Sequence, residues 1–586
     1  MREGPDTAVL DGVAAAPGIA IGRARVLQRA PLVVPERHVP PGERGAEIAR
    51  LAAAAARARA RLEPLLRAVA GVELVEAVLR TQLLMLEDRQ LLEDAARRIR
   101  DEGINAELAL RREGDRLLAL FGAMRDPYLR ERRADVEFAV RELLTSLLGG
   151  EPDGVGPLGE PTVVVAEDLS APEVARLDRA HVVGLATAAG GRASHAAILA
   201  RSLGLPAVVG LGDATRAIGE GDLVVVDGRA GRVVVRPPEA TVRRSLERAR
   251  AERRRASELL RGADLPAETR DGRPVALRAN LESLEELPSL RRHGATGVGL
   301  YRTEFLFLNR SEPPGEDEQE RHYRALLAGV APWPATIRTL DLGGDKLPGS
   351  LPRRADANPA LGLRGVRLAR GPGGLYEVQL RALLRASPAG RLRVLLPLVS
   401  GVEEVVALRA RLADLRSALE AEGCPVADDI ELGVVVETPA AAALIDLLAP
   451  EVAFFSIGTN DLTQYTVAVD RENEAVAYLY EAGHPAVLRA IRSAVEVARA
   501  AGRPIGVCGE MAGDPLYTLV LVGLGVDELS MNAASVPLVK RILRATEWAD
   551  ARDLAGEALG LRTAAEVADL LRKEMRRRFP EPFEAV

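Results

Sequence analysis

The sequence predicts a multidomain α/β chain: an α/β domain interrupted by an all-α helical bundle, then a C-terminal (β/α)8 barrel. Three observations carry this. The chain has 586 residues, enough for several domains at about 100–200 residues each. Residues 43–148 repeat apolar side chains at three- and four-residue steps, and short β-rich runs flank them on both sides. From residue 269 onward, eight strand candidates alternate with helical stretches over the length a barrel of this type needs.

The elements follow in order. "AVLDGVAAAPGIAIGRARVL" has short apolar runs broken by Gly and Pro, which reads as strand. Next come the helical segments "GAEIARLAAAAARARARLEPLLRAV", "VELVEAVLRTQLLMLED", "LEDAARRIRDEG", "NAELALRREGDRLLALFGAM" and "DPYLRERRADVEFAVRELLTSLLGG", punctuated by Gly, Pro and Asp. Strands return as "PTVVVAE", "HVVGLAT", "PAVVG", "DLVVVDG" and "RVVVRP". The bundle therefore reads as an insertion in an α/β domain. The charged stretch from Pro237 reads as a solvated linker helix. The barrel strands are "VALRANL", "GVGLYRTE", "TIRTLDLGG", "RVLLPLVS", "IELGVVVETP", "AFFSIGTND", "PIGVCGEM" and "DELSMNA". The expected boundaries are 1–30 and 148–237 for the α/β domain, 31–147 for the bundle, 238–268 for the linker and 269–586 for the barrel.

Composition narrows the function. There are 78 basic and 84 acidic residues, net −6, which gives no support to nucleic-acid binding or a basic membrane face. Lysine occurs only at Lys346, Lys540 and Lys573, so a single arginine carries little information. Two cysteines, Cys424 and Cys508, cannot build a disulfide framework and suggest a reducing compartment. No signal-peptide pattern opens the chain, and the longest apolar stretch, "LYTLVLVGLGV", is too short to span a bilayer. A cytoplasmic protein is expected.

Barrel active sites sit at the C-terminal ends of the strands. Polar residues cluster there: Arg302 and Glu304, Arg338 and Asp341, Glu437, Asn460 and Asp461, Cys508 and Glu510. Glu437 and Asp461 end neighbouring strands, and two carboxylates with room for water and substrate oxygens suit Mg²⁺. Arg302, Arg338, Arg364 and Arg471 offer forks that match phosphate oxygens, and Lys346 in "GGDK" adds a compact charge. The reading is a divalent metal with a small phosphorylated anion. Cys508, among these groups, is a candidate to donate or accept a proton.

A second site is suggested by "TAAGGRASHAAILARSLGLPAVVG". A strand, a glycine turn and a short helix place His195 at the helix start, with Ser194 as N-cap. A helix N-terminus favours anions, and neutral imidazole is a competent nucleophile. An ordinary first-turn histidine reads the same way, so these residues alone leave both open.

"GGRASHAAILARSLGLPAVVG" and "FFSIGTNDLTQYTVAVDRENEAVAYLYEAGHPAVLRAI" resemble the Enzyme I family of phosphoenolpyruvate–protein phosphotransferases. "GLYRTEFLF", "RTLDLGGDK", "NPALGLRG", "VVVETPAA" and "GVCGEMAGDP" resemble the family's other blocks, in its order. The resemblance implies a swivelling phosphohistidine domain and a barrel that binds phosphoenolpyruvate. It implies that His195 takes the phosphoryl group and passes it to the carrier HPr, which docks on the helical bundle. It assigns Glu437 and Asp461 to Mg²⁺, Arg302, Arg338, Lys346, Arg364, Asn460 and Arg471 to the substrate, and Cys508 to protonation of the enolpyruvate. A homodimer through the barrel is implied as well.

Three positions depart from the family pattern. Ala193 and Val174 stand where relatives commonly carry threonine, and Gln82 stands where a histidine is frequent. The first two bear on the resting orientation of His195, the third on carrier contacts. The nearest alternative is the related pyruvate phosphate dikinase or phosphoenolpyruvate synthase group, but the sequence leaves no room for a large ATP-binding domain. A non-catalytic regulator that only docks phosphocarriers is the other alternative, which the full set of strand-end groups argues against.

Overall fold

The computed structural model describes residues 7–27, 32–68, 79, 82–86, 88–123, 127–150, 158–178, 180–191, 194–307, 312–343, 358–371, 374–471, 473 and 475–580. The chain forms two compact units, residues 1–255 and 256–586.

The first unit is built on an eight-stranded sheet. Its strands are β1 (Ala8–Asp11), β2 (Val13–Ala16), β3 (Ile19–Leu27), β4 (Thr162–Ala166), β5 (Val182–Thr187), β6 (Ala207–Val209), β7 (Leu223–Asp227) and β8 (Arg232–Val235). Their order is β1-β8-β7-β3-β4-β5-β6-β2. Strands β3 to β6 run parallel, and the remaining pairs are antiparallel. Every residue of the β4 segment "TVVVA" is buried, as a central strand covered on both faces requires. Val164 and Ala166 face one core and Val163 and Val165 the other, following the two-residue period.

Helices Arg44–Ala68, Arg89–Glu102, Ala106–Ala123 and Pro127–Leu147 lie between β3 and β4 in the chain. Because β3 and β4 pair directly, the bundle is an insertion in one crossover. It closes around its own core, with Leu51, Leu62, Leu110 and Leu143 fully buried or nearly so. The Asp88 carboxylate accepts a hydrogen bond from Leu91 N at 2.9 Å and caps the second of these helices. The helical segment expected over 72–88 falls largely outside the described residues; of those described, 79 and 82–86 are helical and Asp88 already caps the next helix. Gln82 is buried there, and its Oε1 accepts no hydrogen bond among the described residues.

The linker stretch is a helix over Glu239–Arg261, shorter at its C-terminal end than the expected 238–268. Gly262 follows the last helical residue and Pro266 comes four residues later, both unfavourable to a continuing helix. Lys540 is 3% exposed, and its Nζ donates to the carbonyls of Ala263 and Gly294, tying the turn after the helix to the barrel.

The second unit is a closed parallel barrel. Its strands are β9 (Ala276–Leu281), β10 (Val298–Arg302), β11 (Ala335–Arg338), β12 (Leu392–Leu396), β13 (Glu431–Val436), β14 (Phe454–Ile457), β15 (Ile505–Val507) and β16 (Glu528–Met531), and β16 closes on β9. Six fall within the predicted segments, and β11 and β12 begin one residue earlier, at Ala335 and Leu392. Leu300, Leu395, Val435, Phe454 and Cys508 pack together as an interior layer. Below them, toward the strand N-termini, Glu528 accepts from Arg278 and Arg393, and the Arg393 guanidinium lies 3.6 Å from the Phe454 ring centroid. The two-residue period then carries Arg302, two residues after Leu300, and Glu437, two after Val435, to the mouth. No helix among the described residues is long and apolar enough to cross a membrane.

Candidate functional site

In the first unit, β5 leads through a glycine turn into the helix His195–Leu203. Ser194 is its N-cap, and the Ser194 hydroxyl accepts from Ala197 N at 3.3 Å. Gly190 makes the turn possible: its φ is +106°, and a Cβ there would sit 2.9 Å from Ser194 Oγ. Gly190→Ala is therefore expected to lose about 1–3 kcal/mol of stability, read as a lowered Tm of the first unit. The helix closes at Gly204 in the left-handed conformation. Ala196, Ala197, Leu199 and Ala200 anchor it in the sheet core. Val174 is buried in the same cluster, so an apolar side chain fills the place where the resemblance expects a hydroxyl. Ala193 lies outside the described residues, as does Lys346.

In the second unit, the strand ends bring most of the predicted groups together. Arg338 Nη2 donates to Glu304 Oε1 at 3.1 Å, and Arg338 Nη1 lies 3.4 Å from Asp341 Oδ2. Arg364 makes a two-pronged contact with Asp341, at 2.9 and 2.8 Å. Glu304 Oε1 also accepts from Asp341 N at 2.9 Å. Arg302 donates to Glu282, the residue that follows β9. Burial alone would lower the pKa of Arg338, but Glu304, Asp341, Glu437 and Asp461 together raise it. Arg364 is likewise raised against burial, chiefly by Asp341. These guanidiniums are fixed cations, held by carboxylates before any ligand arrives.

Glu437 is 2% exposed and follows β13. Its Oε1 accepts from Leu398 N at 2.6 Å. Burial, then the charges of Asp461 and Asp341, push its pKa up to about 8. Leu398 holds that N–H in place from the left-handed region, φ +55°, a costly conformation for a large side chain. A Cβ on Gly458 would lie 2.7 Å from Glu437 Oε2, so the bare glycine leaves room for this carboxylate. Asp461 sits in the first turn of helix Thr459–Val467. Its buried Oδ1 accepts no hydrogen bond among the described residues; Arg471 Nη1 is 4.0 Å away. Burial lowers the pKa of Arg471, but Asp461 and the Tyr480 hydroxyl raise it further.

Asn460 pairs with the next strand end: its Nδ2 donates to Glu510 Oε1 at 3.1 Å and its Oδ1 accepts from Glu510 N at 3.0 Å. Cys508 is 4% exposed, with Sγ 3.7 Å from the Ile457 carbonyl. Burial pushes its thiol up to about 11, so it is protonated throughout the neutral range; Glu437, Arg338 and Arg302 all act on it electrostatically.

Sequence reasoning placed Glu304, Asp341 and Glu510 at the strand ends but did not single out two further braces, Glu282 and Tyr465. Glu282 stands immediately after the first barrel strand, the same position that marked the other candidates, and could have been found by that signal. Tyr465 donates to the Ala360 carbonyl, tying the Arg364 loop to the Asp461 helix. Nothing in its local sequence distinguishes it.

Three family models match the chain: "PEP-utilising enzyme, N-terminal" over residues 11–132, "PEP-utilising enzyme, mobile domain" over 158–231 and "PEP-utilising enzyme, PEP-binding domain" over 257–548. The phosphoenolpyruvate-protein phosphotransferase of Geobacillus stearothermophilus is 41% identical over 570 residues, covering 96% of this chain and 98% of that protein. Its counterpart in Haemophilus influenzae is 39% identical over 568 residues, with the same coverage of both chains. Identity at this level along nearly the whole of both chains places this protein in the Enzyme I family of phosphoenolpyruvate-protein phosphotransferases.

Proposed function

We propose that the protein takes a phosphoryl group from phosphoenolpyruvate onto His195 and passes it to the histidine of the carrier HPr, releasing pyruvate, as the first step of a sugar phosphotransferase system. The observation that carries this reading is one barrel mouth where carboxylate-braced Arg338 and Arg364 face Glu437 and Asp461, with a protonated thiol beneath. HPr docking on the helical bundle, a homodimer through the barrel and a cytoplasmic location belong to the same proposal.

The chemistry divides among named groups. Arg302, Arg338, Arg364 and Arg471, with Lys346 and Asn460, bind the phosphate and carboxylate oxygens. Because the arginines are braced beforehand, little reorganisation remains when substrate binds. Mg²⁺ fits the carboxylate pair: Asp461 Oδ1 is buried with no donor among the described residues, an arrangement that costs free energy unless a cation satisfies it. Glu437 and Asp461 would hold the ion, which when bound neutralises charge on the phosphoryl and enolate oxygens. The His195 imidazole attacks phosphorus, an N–P bond forms, and the bond from phosphorus to the enol oxygen breaks. The electron pair left on the enolate is quenched at carbon. Cys508 supplies that proton, and the resulting thiolate, in a site that disfavours its charge, regains a proton from solvent.

Cys508→Ala is expected to slow pyruvate formation by about 100-fold or more while leaving folding and Mg²⁺ binding intact. Pyruvate release at the wild-type rate would assign the proton to water or another residue. The whole reading is tested by incubating the protein with phosphoenolpyruvate labelled in the phosphoryl group, with and without HPr from the same cell. Label should appear on the protein, then on HPr, with pyruvate released in proportion. Absence of label on the folded protein in Mg²⁺ rejects the proposed reaction.

A further inference from the structure

Behind the arginines lies a buried polar side chain that the reaction does not touch. Gln379 is on helix Leu375–Ala386, with no exposed surface, among Tyr376, Leu380 and Leu383. An amide in that position is costly unless its hydrogen bonds are made. Here they are made. Oε1 accepts from Leu340 N at 2.8 Å, and Nε2 donates to Thr303 Oγ1 and to Tyr323 Oη, both at 3.1 Å. The backbone N–H of Leu340 can only donate, so the amide has one orientation. The Thr303 hydroxyl passes its proton on to the Arg338 carbonyl at 3.0 Å, and the Tyr323 hydroxyl donates to Gln319 Oε1 at 3.0 Å.

The residues joined this way sit between the candidate anion ligands. Thr303 separates Arg302 from Glu304, and Leu340 precedes Asp341, the brace of Arg338 and Arg364. One side-chain amide therefore locks the turn after β10 to the turn after β11. An apolar residue of the same volume would fill the space more cheaply but would leave Leu340 N and Thr303 without their partner.

We infer that Gln379 is a positioning residue for the phosphate-binding edge of the barrel mouth: it sets the spacing between the Arg302 and Arg338 turns and, through Asp341, the seat of Arg364. The inference rests on the proposed role of those arginines.

Full-length Gln379→Met and Gln379→Glu test it. The methionine variant keeps the volume and loses all three bonds. The glutamate variant keeps the acceptor for Leu340 N, but even protonated it donates only one bond where the amide donates two, and none once ionised. Both are expected to raise KM for phosphoenolpyruvate about tenfold or more, with kcat changed far less. For Gln379→Glu, burial raises the carboxyl's pKa, so KM should rise further as pH is raised and that last donor is lost, a trend wild type does not follow. Phosphoryl exchange between phosphorylated HPr and His195 needs no phosphoenolpyruvate and should match wild type. Lowered Tm with unchanged KM in both variants, or a glutamate variant whose pH profile parallels wild type, overturns the inference. Wild-type protein that takes no label from phosphoenolpyruvate would reject the underlying reaction instead.

Discussion

His195→Ala is expected to abolish labelling of the protein by phosphoenolpyruvate, because among the described histidines only position 195 is the first residue of a capped helix. The label on wild type should be acid-labile and base-stable, the signature of an N–P bond. Position 195 opens a capped helix, where unpaired backbone N–H groups favour an added phosphoryl group. The other histidines are mostly committed elsewhere. His181 Nδ1 lies 2.7 Å from Asp178 Oδ2. His293 Nδ1 is 2.8 Å from the Ser289 carbonyl, and His322 Nε2 is 2.5 Å from the Tyr301 hydroxyl. His484 Nδ1 accepts from Ala486 N at 3.2 Å. Only His38 is exposed without such a contact shown, so residual labelling of the alanine variant would direct attention there first. Peptide mapping of the labelled variant decides between these outcomes.

Asp461→Ala is expected to cost about 1000-fold or more in turnover, since it removes one of the two carboxylates proposed to hold the metal. Wild-type activity should require Mg²⁺ or Mn²⁺; full activity in excess chelator would sink this assignment. The same substitution should also leave a thermodynamic trace. Without a cation, Glu437 holds its proton up to about pH 8, whereas an unfolded glutamate ionises near its ordinary value of 4.5. Between those limits the folded state binds more protons than the unfolded one, so this group's contribution to stability is lost as pH rises through the window. Asp461 is the largest charge contribution to the shift, after burial. Asp461→Ala should therefore flatten the decline of Tm between about pH 5 and 8. A cation competes with the same proton, so Mg²⁺ binding to wild type should strengthen as pH rises toward 8 and release protons, measurable by calorimetry in buffers of different ionisation enthalpy.

Much of the architecture was legible because it rests on periodicity. The "TVVVA" strand is apolar at every position because both faces are covered. In "GVGLYRTE" and "IELGVVVETP", the residues two beyond a buried apolar side chain are Arg302 and Glu437, and the pleat carries them to the mouth. The helix start at His195 was legible from a glycine turn and a serine cap, both local signals. The linker helix ends at Arg261, just before Gly262 and Pro266, while what ties the following turn to the barrel, Lys540, lies far away in the chain.

By itself, then, the sequence determined which side chains would stand at strand ends and at the His195 helix start, since strand pleating and helix capping are decided by neighbours a few residues apart. Only the tertiary structure decided their partners and their charge. Arg302 is paired with Glu282, Arg338 with Glu304 and Asp341, and the Gln379 amide joins turns from two different strands. The proton on Glu437 and the neutral thiol of Cys508 likewise arise from burial beside groups distant in the chain. Pairing and desolvation depend on which strands lie side by side and how completely water is excluded between them, and no local pattern of residues encodes either.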